Sequence, residues 1–171
     1  MPTGPSRYGR AVPRLTVKLL LVDPSDRLLL IHGRDPADGA HHWYPVGGGI
    51  EVGESHHEAA AREAWEETGL TALPVGETVW TREARYSFAG ASYDVHETWL
   101  RHRVAHFDPA PALPSAAEQE SIAGFRWWTA DDLRATDESV FPSDLAERYA
   151  RLLAAGCPPV PIDITLDPTS R

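Results

Sequence analysis

Twenty-three residues, Gly48 to Leu70, restrict the folds open to this chain more than any other stretch. Gly47-Gly48-Gly49 opens a loop that continues through Ile50-Glu51-Val52-Gly53-Glu54 into a run of helix formers. Ser55 is placed to cap that helix. Glu58, three residues on, completes the reciprocal pattern in which each side chain satisfies the other's orphan amide. Gly69 stands where a left-handed residue ends a helix. The spacing predicts about three and a half turns.

At helical periodicity Glu63, Glu66 and Glu67 share one stripe, with Ala59 beside them. Ala60, Ala61, Ala64, Trp65 and Thr68 form the opposite side, whose small residues suit close packing on a sheet. The acidic stripe is unfavourable by itself, because each like-charge pair at i,i+3 or i,i+4 costs about 0.2–0.5 kcal/mol. Three carboxylates on one face make physical sense around a cation. An all-oxygen donor set suits a hard ion, Mg²⁺ or Mn²⁺, rather than zinc. Glycines at 47–49 and 53 let a phosphate chain approach the backbone, and a helix N-terminus favours anions. Metal-clamped phosphates beside a carboxylate that can take a proton from water amount to metal-assisted hydrolysis.

Gly48, five residues, Glu54, seven residues, then Arg62-Glu63-Ala64-Trp65-Glu66-Glu67-Thr68-Gly69-Leu70 resembles the Nudix box at every fixed position. Compatible strand patterns extend the likeness over roughly residues 14–153. The resemblance implies an α+β fold, a Nudix-type α/β/α sandwich around a mixed β-sheet. It also implies hydrolysis of a pyrophosphate linkage in a nucleoside diphosphate joined to another group, of the nucleotide or dinucleotide polyphosphate class. Glu63, Glu66 and Glu67 would then bind divalent ions, with the Gly47 carbonyl as a further ligand. Arg62 would orient a box glutamate. Gly48, Gly49 and Glu54 would support the loop or the substrate. Glu63 is the favoured general base, with Glu120 and Glu118 behind it. The proline that ADP-ribose enzymes of the family tend to carry is absent from Glu83 to Phe88. Tyr86 falls about where diadenosine polyphosphate hydrolases tend to have a tyrosine, though a lone strand tyrosine also reads as core or cleft packing. Two rival classes are a non-catalytic, nucleotide-sensing protein of the same fold and an isoprenoid diphosphate isomerase. The intact box opposes the first. The second lacks an evident Cys–Glu pair, since Cys157 lies near the C-terminus.

Composition bounds the partners. A length of 171 residues with 42% hydrophobic and 24% charged content is ordinary for one globular domain. Net charge of −9 argues against long duplex nucleic acid but not against a small phosphate-rich ligand that brings its own counterions. No stretch approaches a membrane span, and no signal peptide is evident. With Cys157 alone, a cytoplasmic setting is expected. The expected partner is a small nucleotide, with a homodimer as a candidate assembly.

Taken in order, residues 1–13 read as a flexible arm, 14–156 as the domain and 157–171 as a Pro-rich tail. Leu15–Val22 and Leu28–Ile31 read as two strands of a hairpin across Asp23-Pro24-Ser25-Asp26. His32–His42 reads as a polar loop in which His41 and His42 would not share a metal. Leu73–Phe88 reads as one or two strands, and Tyr93–Val104 as a long alternating one in which His96 and Glu97 are ordinary strand residues. Phe107–Glu120 reads as a loop, and Ile122–Trp128 as a final strand. A short helix capped by Thr129 and a longer one over Ser143–Ala155 follow. Trp43, Trp80, Trp99, Trp127 and Trp128 are mostly core.

Overall fold

The computed structural model describes residues 12–112 and 121–165. Its organising strand is β1 (Arg14–Val22), whose two edges are both occupied. One edge runs parallel to β5 (Ala91–Arg103), from Arg14↔Val95 to Val22↔Arg103. The other takes the glycine segment: Val17 N–H donates to Gly48 O at 2.9 Å, Leu19 N–H to Val46 O at 2.8 Å, and Ile50 N–H to Leu15 O at 3.0 Å. The loop is thereby laid along the sheet like a further strand.

The expected antiparallel pairing of β1 with the returning strand is present, but this double occupancy confines it to the tip. β2 (Leu28–Arg34) meets β1 at the register pair Val22↔Leu28 and then turns away, since no edge of β1 remains for it. It pairs antiparallel with β3 (His41–Pro45) on one side and β6 (Ile122–Trp128) on the other. β4 (Glu77–Phe88) is one continuous strand antiparallel to β5, and β7 (Ile162–Asp163) adds parallel to β4.

Strand alternation divides the apolar residues between two layers. On one face Val17, Leu19 and Leu21 of β1 pack with Ala59, Ala60 and Ala64 of α1 (His56–Thr68). On the other, Leu20, Val22, Trp99 and Trp128 pack with Leu133 of α2 (Ala130–Ala135) and Leu145, Tyr149 and Leu152 of α3 (Leu145–Ala155). Each fully buried leucine contributes roughly 1.5–3 kcal/mol. The result is an α/β/α sandwich around a mixed sheet. Trp43, Trp80, Trp99 and Trp128 are core residues. Among the described residues no helix is long and apolar enough to cross a membrane.

Three further expectations change. The polar region after Ile31 is shorter than expected: β2 reaches Arg34, β3 begins at His41, and Asp35–Ala40 make the turn, closed by Gly39 N–H to Asp35 O at 2.7 Å. His41 and His42 take opposite faces, the first beside His32 and the second beside Ser139. Helix α1 buries Ala59, Ala60, Glu63, Ala64 and Thr68, and leaves Trp65 37% exposed. It is turned from the expected face because Gly48 leaves room for the Glu63 carboxylate and Arg62 pairs with it, so a carboxylate can enter the buried side. Finally, part of the segment read as a tail is structured: β7 joins the sheet and Ile164 is buried in the core cluster of α3.

Candidate active site

The caps fix where α1 begins and ends, and so which residues face the loop. Ser55 Oγ accepts from Glu58 N–H at 3.2 Å, and Glu58 Oε2 accepts from Ser55 N–H at 2.8 Å. Gly69 ends the helix at φ 74°. The loop in turn depends on missing side chains. Gly47 has φ 141°, and a Cβ there would run into Val17 O and lie 3.0 Å from Lys18 Cα. At Gly48 a Cβ would lie 2.6 Å from Glu63 Cδ, so the space beside that backbone holds the Glu63 carboxylate.

Arg62 ties the assembly together. Its Nε and Nη2 donate to the two oxygens of Glu54 at 2.8 and 3.0 Å. Nη1 donates to Glu63 Oε1 at 2.7 Å and Glu66 Oε2 at 3.2 Å, and Nη2 reaches Gly49 O at 2.7 Å. The planar fork makes this possible; a lysine ammonium has no such geometry. The bonds from Arg62 pull the Glu54 carboxyl down to about 2. Glu63 goes the other way: burial raises its pKa, against the lowering pull of Arg62. Glu67 Oε2 accepts the Gly47 N–H at 2.9 Å.

Three carboxylates thus share one guanidinium, with Glu67 beside the same loop. Among the described residues, no three His, Cys, Asp or Glu side chains converge on one point as a finished metal site. Glu63 and Glu66 turn toward Arg62, and Glu67 toward the Gly47 amide. The donor chemistry nevertheless suits a hard divalent ion: oxygen-only, in negative excess, and including the buried Glu63 carboxylate, whose pKa burial raises. Glu118 and Glu120 lie outside the described residues.

Gly47 also lines a cleft of about 520 Å³ on the α3 side of β1. Arg14 and Lys18, two basic residues on one face of β1, line it at the loop end. Tyr86 and Tyr93, paired across β4 and β5, form its aromatic floor, their rings stacked 5.3 Å apart at 23°. Tyr44 and Phe141 stand as walls, with Phe141 6.2 Å from Tyr86 in edge contact. Gly33 permits this arrangement, since a Cβ there would overlap the Tyr44 ring.

The structure therefore brings together Arg62, Glu63, Glu66, Glu67, Gly47, Gly48, Gly49 and Glu54 at the loop, and places Tyr86 in the adjoining cleft. Sequence reasoning missed Arg14, Lys18, Tyr44, Tyr93 and Phe141. For the first two a signal was available: Arg14-x-Thr16-x-Lys18 puts polar residues on one side of an otherwise apolar strand. Phe141 left none, because it reaches the cleft from the segment before α3 through its N–H bond to Trp43 O at 2.8 Å.

A family model for the NUDIX domain matches residues 12–152. Among solved structures, the chain is similar to a MutT protein from Methanosarcina mazei Go1, with 20% identity and TM-score 0.63 over 84% of this chain and 97% of that one. It is also similar to a Nudix hydrolase from Nitrosomonas europaea, with 25% identity and TM-score 0.56 over 85% and 91%. A third is the Nudix domain of Shewanella oneidensis NrtR in complex with ADP ribose, with 20% identity and TM-score 0.61 over 86% and 93%.

With the box intact and its residues assembled, the chain belongs to the Nudix family.

Proposed function

We propose that this protein uses Mg²⁺ or Mn²⁺ to hydrolyse the pyrophosphate linkage of a nucleoside diphosphate joined to another group, a nucleotide or dinucleotide polyphosphate. The observation that carries the reading is the double position of Gly47. Its amide holds the Glu67 carboxylate at 2.9 Å while its backbone borders the aromatic cleft. A nucleoside in the cleft would extend its phosphates past Arg14 and Lys18 to the acidic face of α1.

Glu63, Glu66 and Glu67 are the proposed metal ligands, with the Gly47 carbonyl. A divalent ion held there would neutralise the pyrophosphate and make an attacking water more acidic. Glu63 is the favoured base toward that water, and Arg62 holds its Oε1 in place. Glu120 and Glu118 stand behind it in this role. Arg62 keeps Glu54, Glu63 and Glu66 in register and fixes Gly49 of the loop. Gly48 and Gly49 leave the backbone open to phosphate, and Tyr86 supplies a face on which a base can stack. The setting is cytoplasmic, which suits the single free Cys157.

The test is a panel of ADP-ribose, diadenosine polyphosphates, nucleoside triphosphates and guanosine diphosphate sugars, assayed for phosphate-containing products with and without Mg²⁺ or Mn²⁺. Metal-dependent turnover that Glu67→Gln lowers by orders of magnitude, with the fold retained, supports the reading. Tight binding without turnover would make the protein a nucleotide sensor, and near-normal turnover by Glu67→Gln would remove it from the metal set.

A further inference from the structure

We infer that His32 and His41 form a binding site for a borderline transition-metal ion of the Zn²⁺ class, built on β2 and β3 rather than on the acidic face of α1. The inference does not depend on the hydrolase reading.

The sheet register brings the two rings together. His32 lies opposite Trp43 and Arg34 opposite His41, so His32 and His41 are diagonal neighbours on one face of the β2–β3 pair. His42 takes the other face, beside Ser139. The turn that joins the strands is closed at Asp35, whose N–H donates to Ala40 O at 2.8 Å and whose O accepts from Gly39 N–H at 2.7 Å. That closure holds the spacing of the two histidines.

His32 is fixed in orientation as well. Its ring stacks on Trp43, with centroids 4.4 Å apart at 11°. Trp43 is itself pinned: Nε1–H donates to Glu138 Oε2 at 2.7 Å, and the ring meets Trp128 edge-on at 5.1 Å. His41 is exposed and His32 half-buried, so an ion can reach them from solvent. Gly124 of β6 is the register partner of His32 on the other side, and a Cβ there would meet nothing within 4 Å. The space beside His32 has room for water.

The distances decide between a simple hydrogen bond and a metal-binding pair. His32 Nε2 and His41 Nδ1 are 3.2 Å apart, with ring centroids 4.9 Å apart and planes tilted by 43°. A straight N–H···N bond of that length would set the centroids about 5.5 Å apart. Two imidazoles on one ion behave differently. With each nitrogen about 2.0–2.1 Å from the metal and an angle of about 100° between them, the nitrogens stand about 3.2 Å apart and the centroids about 5 Å. The observed spacing matches the second geometry. Imidazole nitrogen suits Zn²⁺, Ni²⁺ or Cu²⁺, whereas the carboxylates of α1 suit a hard ion. Two protein ligands leave the other positions to water, since among the described residues no third His, Cys, Asp or Glu joins them.

Titration calorimetry of Zn²⁺ into the full chain, stripped of metal with EDTA and then held in excess Mg²⁺ to fill hard-ion sites, tests this. Saturable uptake of about one Zn²⁺ per chain is expected. Loss of a partner behind a ligand already costs about 10–100-fold in metal affinity, so His32→Asn and His41→Asn should each weaken uptake at least about tenfold. His57→Asn and Glu67→Gln should leave it unchanged. His41 is exposed, so His41→Asn decides the matter should His32→Asn disturb the packing around Trp43. Nitrogen NMR of the imidazole rings should show Zn²⁺ shifting His32 Nε2 and His41 Nδ1 together. No saturable uptake, uptake that His41→Asn leaves intact, or uptake that Glu67→Gln abolishes overturns the proposal.

Discussion

The carboxylate of Glu63 occupies the space a side chain at residue 48 would need: a Cβ on Gly48 would stand 2.6 Å from Glu63 Cδ. The loop glycine and the helix glutamate, far apart in sequence, are therefore two halves of one packing contact. Gly48 is absent from the glycines with positive φ, so its role is spatial rather than conformational.

It follows that Gly48→Ala should fold and yet lose activity. Its backbone accepts alanine, but Glu63 must move. Overpacking of this kind costs about 1–3 kcal/mol. If Glu63 acts as proposed, displacing its carboxylate by about an ångström is expected to lower kcat about hundredfold. Steady-state kinetics beside a urea denaturation curve would separate the two effects. Unchanged kcat would show that Glu63 does not act from the observed position.

Arg62→Lys keeps the charge and removes the fork. Lysine cannot hold Glu54, Glu63, Glu66 and Gly49 O together, as Arg62 does. Loss of such a positioning group typically costs about 10–100-fold in metal affinity or activity. Activity titrated against Mg²⁺ should show the midpoint moving to higher concentration. A simple drop in maximum rate at the same midpoint would place Arg62 outside the metal's support.

His102 should make stability depend on pH. Its ring is buried, Nδ1–H donates to Pro74 O at 2.8 Å, and Nε2 has no partner. Burial lowers its pKa from 6.5, opposed by the Pro74 bond and assisted by nearby His57. A lowered histidine pKa means the unfolded chain binds the proton first. The His102 contribution is thus complete above pH 6.5 and is lost as pH falls below that value toward the folded pKa. Thermal melting between about pH 5 and 7.5 should fall more steeply with acid for the parent protein than for His102→Gln. Parallel curves would refute the linkage.

Ile164 is 2% exposed and belongs to the core cluster of α3, beyond the point where the sequence reads as a tail. Ile164→Ala should cost about 2–5 kcal/mol. Val160, 71% exposed, should tolerate alanine within about 0.5 kcal/mol. Chemical denaturation of both variants checks the contrast.

The sequence by itself determined the box, the helix and both its ends, because a capping box and a C-terminal glycine act within a few residues of one another. It also placed β5, β6 and α2 closely, since each alternates or caps locally. What only the tertiary structure decided is which distant segments meet. β1 gives one edge to β5 and most of the other to the glycine loop, and that confines the β1–β2 hairpin to its tip at Val22↔Leu28. The same pairing turns α1 so that Glu63 is buried and Trp65 exposed. It also brings Arg14, Tyr86, Tyr93 and Phe141, from four separate parts of the chain, around one cleft. Strand pairing of this kind is settled by competition for edges and by burial on two faces at once, and neither quantity is carried by any single stretch of residues.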